Sequence, residues 1–169
     1  MRYCLTMHER TEEAARLMEA GDRGGAERAL LGLLERHPED ARANYLMASL
    51  CDQNDQERRA VPVYRRALIG VEDLPEEDAA GAYLGLGSTL RALGEYEDSR
   101  QTLREGLERF PADRALSTFL ALTHYNLAEH REAVSVLLKN LVETSGDPGI
   151  RLYGRALAFY ADRLDETFK

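Results

Sequence analysis

Residues 85–89 read Gly-Leu-Gly-Ser-Thr, and glycines at that density can cradle a phosphate. The chemistry needs more than glycine. A Walker loop, G-x-x-x-x-G-K-[ST], uses its lysine to reach the phosphates. Here the only lysines are Lys139 and Lys169. A dinucleotide loop needs G-x-G-x-x-G after a strand. Gly85 and Gly87 are followed by Leu90 instead of a third glycine, and no strand pattern precedes them. A phosphate loop is therefore not expected. The histidines His8, His37, His124 and His130 are scattered, and Met-His-Glu-Arg at residues 7–10 is not the H-E-x-x-H pair of a zinc site. They read as surface or packing residues, and Cys51 reads as a small buried hydrophobe. No nucleophile has an adjacent base, and no acid pair sits in an apolar run that would raise a pKa. The expectation is a protein with no catalytic residues, no metal and no cofactor.

Composition points to helices that would carry a surface instead of a reaction. The chain has 169 residues, 44% of them hydrophobic and 31% charged. Ala, Leu, Glu and Arg are abundant, and these are strong helix formers. Net charge is −8, with arginines interleaved among acids. That pattern suits solvated helix faces and disfavours phosphate backbones and anionic bilayers, so no nucleic-acid or membrane partner is expected. The opening Met-Arg-Tyr-Cys-Leu-Thr lacks an apolar targeting core. Cys4 and Cys51 form no framework, so a reducing cytoplasm is the expected setting.

A period organises these helices. Ala14, Ala26 and Pro38 stand 12 residues apart, as do Gly87, Ser99 and Pro111. Ala48 and Ala60, and Ala121 and Ala133, keep the same step. From Ala14 to Ala48, and from Gly87 to Ala121, the interval is 34; from Ala48 to Gly87 it is 39, with the excess at residues 71–78. There Pro75 suits a first helical turn, and Glu76, Glu77 and Asp78 suit its positive dipole end, so longer helices are expected at that junction. Pro62, by contrast, should kink its helix or delay the start.

A 34-residue period with two helical halves resembles the tetratricopeptide repeat (TPR), W-x2-L-G-x2-Y, A-x3-F, P. The best copy is Tyr83-x2-Leu86-Gly87-x2-Leu90, then Ser99-x3-Leu103, then Pro111, with Gly94 at the turn. The resemblance implies an all-α TPR α-solenoid spanning residues 1–169 as one domain. Its four helix-turn-helix repeats would cover about 5–40, 41–74, 78–113 and 114–147, stacked as a right-handed superhelix. A capping helix at 148–166 would close the end, with Tyr153, Ala156, Leu157, Tyr160 and Leu164 on its core face and a polar outer side. Phrases such as Phe119-Leu-Ala-Leu-Thr-His-Tyr-Asn-Leu127 are similar to a small bacterial family of TPR-only proteins, which implies a standalone binding module.

In TPR folds the first helix of each pair lines the concave groove. The resemblance then implies groove positions Arg42, Tyr45, Ser49 and Asp52 in the second repeat, and Leu84, Gly85, Ser88 and Arg91 in the third. In the fourth they are Thr118, Leu122, Tyr125 and Asn126, and in the first Thr11 and Ala15 lead. The carboxylate clamp of chaperone-adaptor TPRs is missing, because its positions read Thr11, Tyr45, Leu84, Thr118 and Ala15, Ser49, Ser88, Leu122. Gly87 is explained by close helix packing. Gly85 has no such partner in the motif and is expected to open a notch beside Ser88 and Arg91. The expected function is a non-catalytic scaffold that binds a protein or peptide segment in the groove. The alternatives are a homodimer formed through the last helix, with Phe159 and Leu152 off its core face, or a groove closed into a small-ligand or enzymatic pocket.

Overall fold

The computed structural model describes residues 6–168, and Cys4 lies outside them. Among the described residues there are nine α-helices and no strand. They pair in chain order: α1 (Met7–Glu19) with α2 (Arg23–Leu34), α3 (Ala41–Asp52) with α4 (Glu57–Ile69), α5 (Glu76–Ala92) with α6 (Tyr96–Arg109), and α7 (Arg114–Asn126) with α8 (His130–Thr144). The ninth, α9 (Pro148–Ala161), packs on α8. The first helices also touch one another in order, α1 to α3 to α5 to α7, so the pairs stack as an α-solenoid.

Local chemistry sets the helix ends. A helix N-terminus leaves orphan N–H groups, and Asp or Thr just before it can accept from them. Thr6 forms a full capping box with Glu9 at the start of α1. Asp40 accepts from the Ala43 N–H at 2.7 Å, Asp113 from Leu116 at 2.9 Å and Asp147 from Ile150 at 3.0 Å, opening α3, α7 and α9. Four left-handed residues mark the turns inside the pairs: Gly21, Asp55, Gly94 and Ala128. Gly94 thus turns the chain as expected. Pro62 does not delay α4, which begins at Glu57 and runs through it to Ile69. The burial of Ala60, Tyr64 and Ala67 holds that helix together across the missing N–H.

The extra residues at 71–78 divide between two uses. Val71–Asp73 form a 3₁₀ turn, and Glu72 is tied to Arg109 at the end of α6. The remainder lengthens α5 to 17 residues, with Glu76, Glu77 and Asp78 in its first turn and Pro75 just outside it. Gly87 packs as the repeat requires, since a Cβ there would stand 2.5 Å from Leu103 Cγ on α6. One apolar cluster runs from α1 to α5 through Leu30, Leu33, Met47, Leu50 and Leu90. A smaller one joins α6 and α7 through Leu103, Leu116 and Leu120, with Phe119 packed against it. Past that point the interior turns polar. The Ser99 hydroxyl donates to the Gly87 carbonyl at 2.7 Å, and the Asn140 amide donates to the Ser117 hydroxyl at 2.8 Å.

The last helix differs from the expectation. Its buried face is Gly154, Leu157 and Ala161, with Leu164 half-buried, whereas Tyr153, Ala156 and Tyr160 point outward. The small residues face inward because α8 lies close: a Cβ on Gly154 would meet Val142 at 3.5 Å. Lys139 pairs with Asp162 at 2.6 Å and Arg131 with Asp165 at 3.6 Å. The outer side of α9 is therefore apolar where a polar cap was expected. Val134, Leu137 and Leu141 of α8 are also left exposed.

Candidate functional site

The face built by α1, α3, α5 and α7 carries the residues singled out from the repeat phase, and it has two unlike halves. In the half nearer the N-terminus, the polar groups are already engaged. Thr11 is buried, with its hydroxyl on the His8 carbonyl. Arg42 on α3 holds Glu12 of α1 and donates its Nε to Asp78 of α5 at 2.9 Å, so one guanidinium ties three first helices together. Tyr45 lies across Gly81 of α5, where a Cβ would stand 2.4 Å from the phenol oxygen. Burial pushes that phenol's pKa up, and the nearby charges of Asp78 and Glu77 add to the shift. Ser49 is half-buried beside Gln53.

Asp52 sits at the junction of α3, α4 and α5. It accepts the Tyr64 hydroxyl at 2.9 Å and the Thr89 hydroxyl at 2.9 Å. Burial raises its carboxyl above the usual range, while those two hydrogen bonds work in the opposite direction. The buried Tyr64 phenol is pushed up in turn, by burial first and then by the Asp52 charge. Asp52 is thus an internal node that sets the angle between neighbouring helices. It is not a group held out for a partner.

Gly85 belongs to the same node. A Cβ there would stand 2.4 Å from both Cζ and the hydroxyl of Tyr64. The expected notch beside Ser88 does not exist, because the Tyr64 ring from the preceding pair fills it. Nothing in the local spacing could reveal this, since the two residues meet only through the stacking of α4 on α5. Leu84 is half-buried against the second apolar cluster. Thr118 leans toward its own partner helix, its hydroxyl accepting from the Asn140 amide at 3.0 Å.

The half nearer α7 is open. Tyr125 is 64% exposed and Leu122 38% exposed on adjacent turns of α7. Asn126 is exposed, and its side-chain oxygen accepts from Arg91 Nη1 on α5 at 3.2 Å. Ser88 lies one turn before Arg91 and is half-buried. The Tyr125 ring stands 5.1 Å from the His130 ring. The result is an aromatic and an aliphatic side chain next to a guanidinium–amide pair. This can take up an apolar side chain and fix a neighbouring acceptor. Proteolysis, hydrolysis or transfer would need a nucleophile with a base, and these residues offer neither. Among the described residues no group of three or more His, Cys, Asp or Glu side chains could hold a metal ion. No helix among them is long and apolar enough to cross a membrane. His124 is buried against Glu129, as its alignment with core positions implied, and burial pushes the Cys51 thiol up.

The sequence reading missed a second open surface. Leu152, Tyr153, Phe159 and Tyr160 form an exposed stripe on α9, and Phe168 packs its ring 5.5 Å from Phe159.

Comparisons with known proteins fit this architecture. The fold is shared with a variant of MamA at TM-score 0.67 and 16% identity, covering 83% of this chain and 78% of that one. It is shared with PilF of Pseudomonas aeruginosa at TM-score 0.69 and 19% identity, covering 93% and 69%. A chain of the Cut9–Hcn1 assembly of APC/C matches at TM-score 0.72 and 19% identity, covering 92% of this chain but only 30% of its own length. Identities this low establish the fold alone. A search of curated proteins finds no match. The model of the family described as "Tetratrico peptide repeat" matches residues 41–164, from the start of α3 to beyond the end of α9. The chain belongs to the tetratricopeptide repeat family.

Proposed function

We propose that this protein is a non-catalytic scaffold that binds a protein or peptide segment on the face of its first helices. The observation that carries this reading is Tyr125, largely exposed beside Leu122 and the Arg91–Asn126 pair. Exposed aromatics flanked by arginine are the usual anchors of protein interfaces. TPR folds in general mediate protein–protein contacts, which supports the same class. The binding half lies between α5 and α7, because the α1–α3 half spends its charges on holding helices together. Tyr45 and Asp52 act as supports there. The partner segment carries an apolar side chain for Leu122 and Tyr125 and an acceptor, a carboxylate or a carbonyl, for Arg91 and Asn126.

The test compares capture from native lysate by the wild type with capture by the Arg91→Ala, Tyr125→Ala double variant, with bound proteins identified by mass spectrometry. Both side chains lie at the surface or near it, so far-UV circular dichroism stays unchanged. Loss of a specific partner at least tenfold beyond background is expected. A partner retained at full yield by the double variant places recognition elsewhere.

A further inference from the structure

The outer face of α9 is built to meet itself. Leu152, Tyr153, Phe159 and Tyr160 are 76%, 63%, 45% and 48% exposed, and Ala156 between them is exposed as well. Their spacing about Ala156 is symmetric: Leu152 and Tyr153 lie four and three residues before it, Phe159 and Tyr160 three and four after it. On a helix all five share one face. Two copies laid antiparallel across a two-fold axis at Ala156 place Leu152 on Tyr160 of the partner subunit and Tyr153 on Phe159 of the partner subunit. The small Ala156 pair at the centre lets the helix axes approach. An interface in which the same patch serves both copies is the isologous arrangement of two-fold dimers.

Two further observations select a second copy as the occupant. The first is charge. Arg151 and Arg155 lie exposed in the first half of α9, and Asp162, Asp165 and Glu166 follow its end. Antiparallel pairing brings Arg151 level with Asp162 of the partner subunit, so opposite signs meet at both rims. The second is area. Phe168 lies against Phe159 and Tyr160 and widens the patch, since those rings stay about half exposed beneath it. With about 150–250 Å² in each aromatic side chain, the exposed parts of the five large residues present on the order of 500 Å² per copy. Two copies then bury about 1,000 Å² of side chain, which reaches the range of specific interfaces.

We propose that the chain forms a homodimer through antiparallel pairing of α9. The proposal is independent of the peptide-binding reading, because Arg91, Leu122 and Tyr125 lie on other helices.

Sedimentation and light scattering over rising concentration test it. The wild type should move from the 19.0 kDa chain mass to twice that value. Ala156→Glu sets two carboxylates against each other on the axis. It should hold the mass at one chain with unchanged helicity, because the residue is exposed in the single copy. Ala156→Cys should cross-link two copies on mild oxidation, while Val134→Cys, on the exposed stripe of α8, and the wild type, with Cys51 buried, should not. A wild type at the single-chain mass throughout, the α9 face then serving some other protein, overturns the proposal. So does a doubled mass in Ala156→Glu, or cross-linking through Val134→Cys in place of Ala156→Cys.

Discussion

At the scale of single residues, glycine does two jobs in α5, and only one was legible. Gly87 stands at the small-residue position of its repeat, and its neighbour Leu103 lies in the same repeat, so the motif alone predicted close packing. Gly85 answers to Tyr64, 21 residues earlier in the preceding pair, and no local pattern encodes that meeting. The distinction has a measurable consequence. Alanine is the better helix former by roughly 1 kcal/mol, so a helical glycine in open space should gain from the exchange. Gly32 in α2 has nothing within 4 Å of its Cβ position, and Gly32→Ala is expected to stabilise by about 0.5–1 kcal/mol. At Gly85 the new methyl would press on the buried Tyr64 ring, whose hydroxyl is held by Asp52. Overpacking of that kind costs about 1–3 kcal/mol, which exceeds the propensity gain. Gly85→Ala should therefore destabilise in urea denaturation, although both substitutions look alike in sequence. Equal effects from the two would mean that Tyr64 can swing aside freely.

At the scale of elements, helix positions and pair boundaries were readable because the 34-residue period repeats the same small residues and turn signals. What periodicity left undecided was rotation. The last helix has apolar residues on two faces, and the larger set, Tyr153, Ala156 and Tyr160, was assigned inward. The close approach of α8 reverses this, since only Gly154 and Ala161 fit beneath it. The turns carry a similar lesson. Gly21, Asp55, Gly94 and Ala128 occupy one phase of the four pairs at intervals of 34, 39 and 34 residues, and all four have positive φ. Three are residue types that tolerate this region. Ala128, with φ of 61°, is strained by its own Cβ. Ala128→Gly places at the fourth turn what Gly94 already supplies at the third. It should stabilise by roughly 1 kcal/mol, somewhat less after the added chain entropy of glycine when unfolded. The gain should appear as a raised midpoint in thermal denaturation with no change in circular dichroism. A loss would mean that the Ala128 methyl makes a contact worth more than its strain.

At the scale of the whole molecule, a solenoid has no single centre, and each pair is held chiefly by its neighbours. Here the neighbours are unequal. The large apolar cluster spans α1 to α5, and α3 alone buries eight of its residues, including Leu46, Met47 and Leu50. Beyond α7 the contacts become small or polar: Ala133 and Asn140 are the buried residues of α8, and Gly154 and Ala161 those of α9. Burying a large aliphatic side chain contributes about 1.5–3 kcal/mol, whereas glycine and alanine contribute little. Local opening should therefore grow easier toward the C-terminus. Native-state hydrogen exchange is expected to show the strongest protection in α3 and α5, less in α7 and α8, and the least in α9 for a single copy. The gradient also links the two proposed surfaces. Peptide bound across Arg91 and Tyr125 would raise protection in α5 and α7 with ligand concentration. Self-pairing would raise it in α9 with protein concentration and leave α5 unchanged. Uniform protection from α1 to α9 would instead mean that the chain opens as one unit, and that the thin packing of α8 and α9 is offset by contacts of another kind.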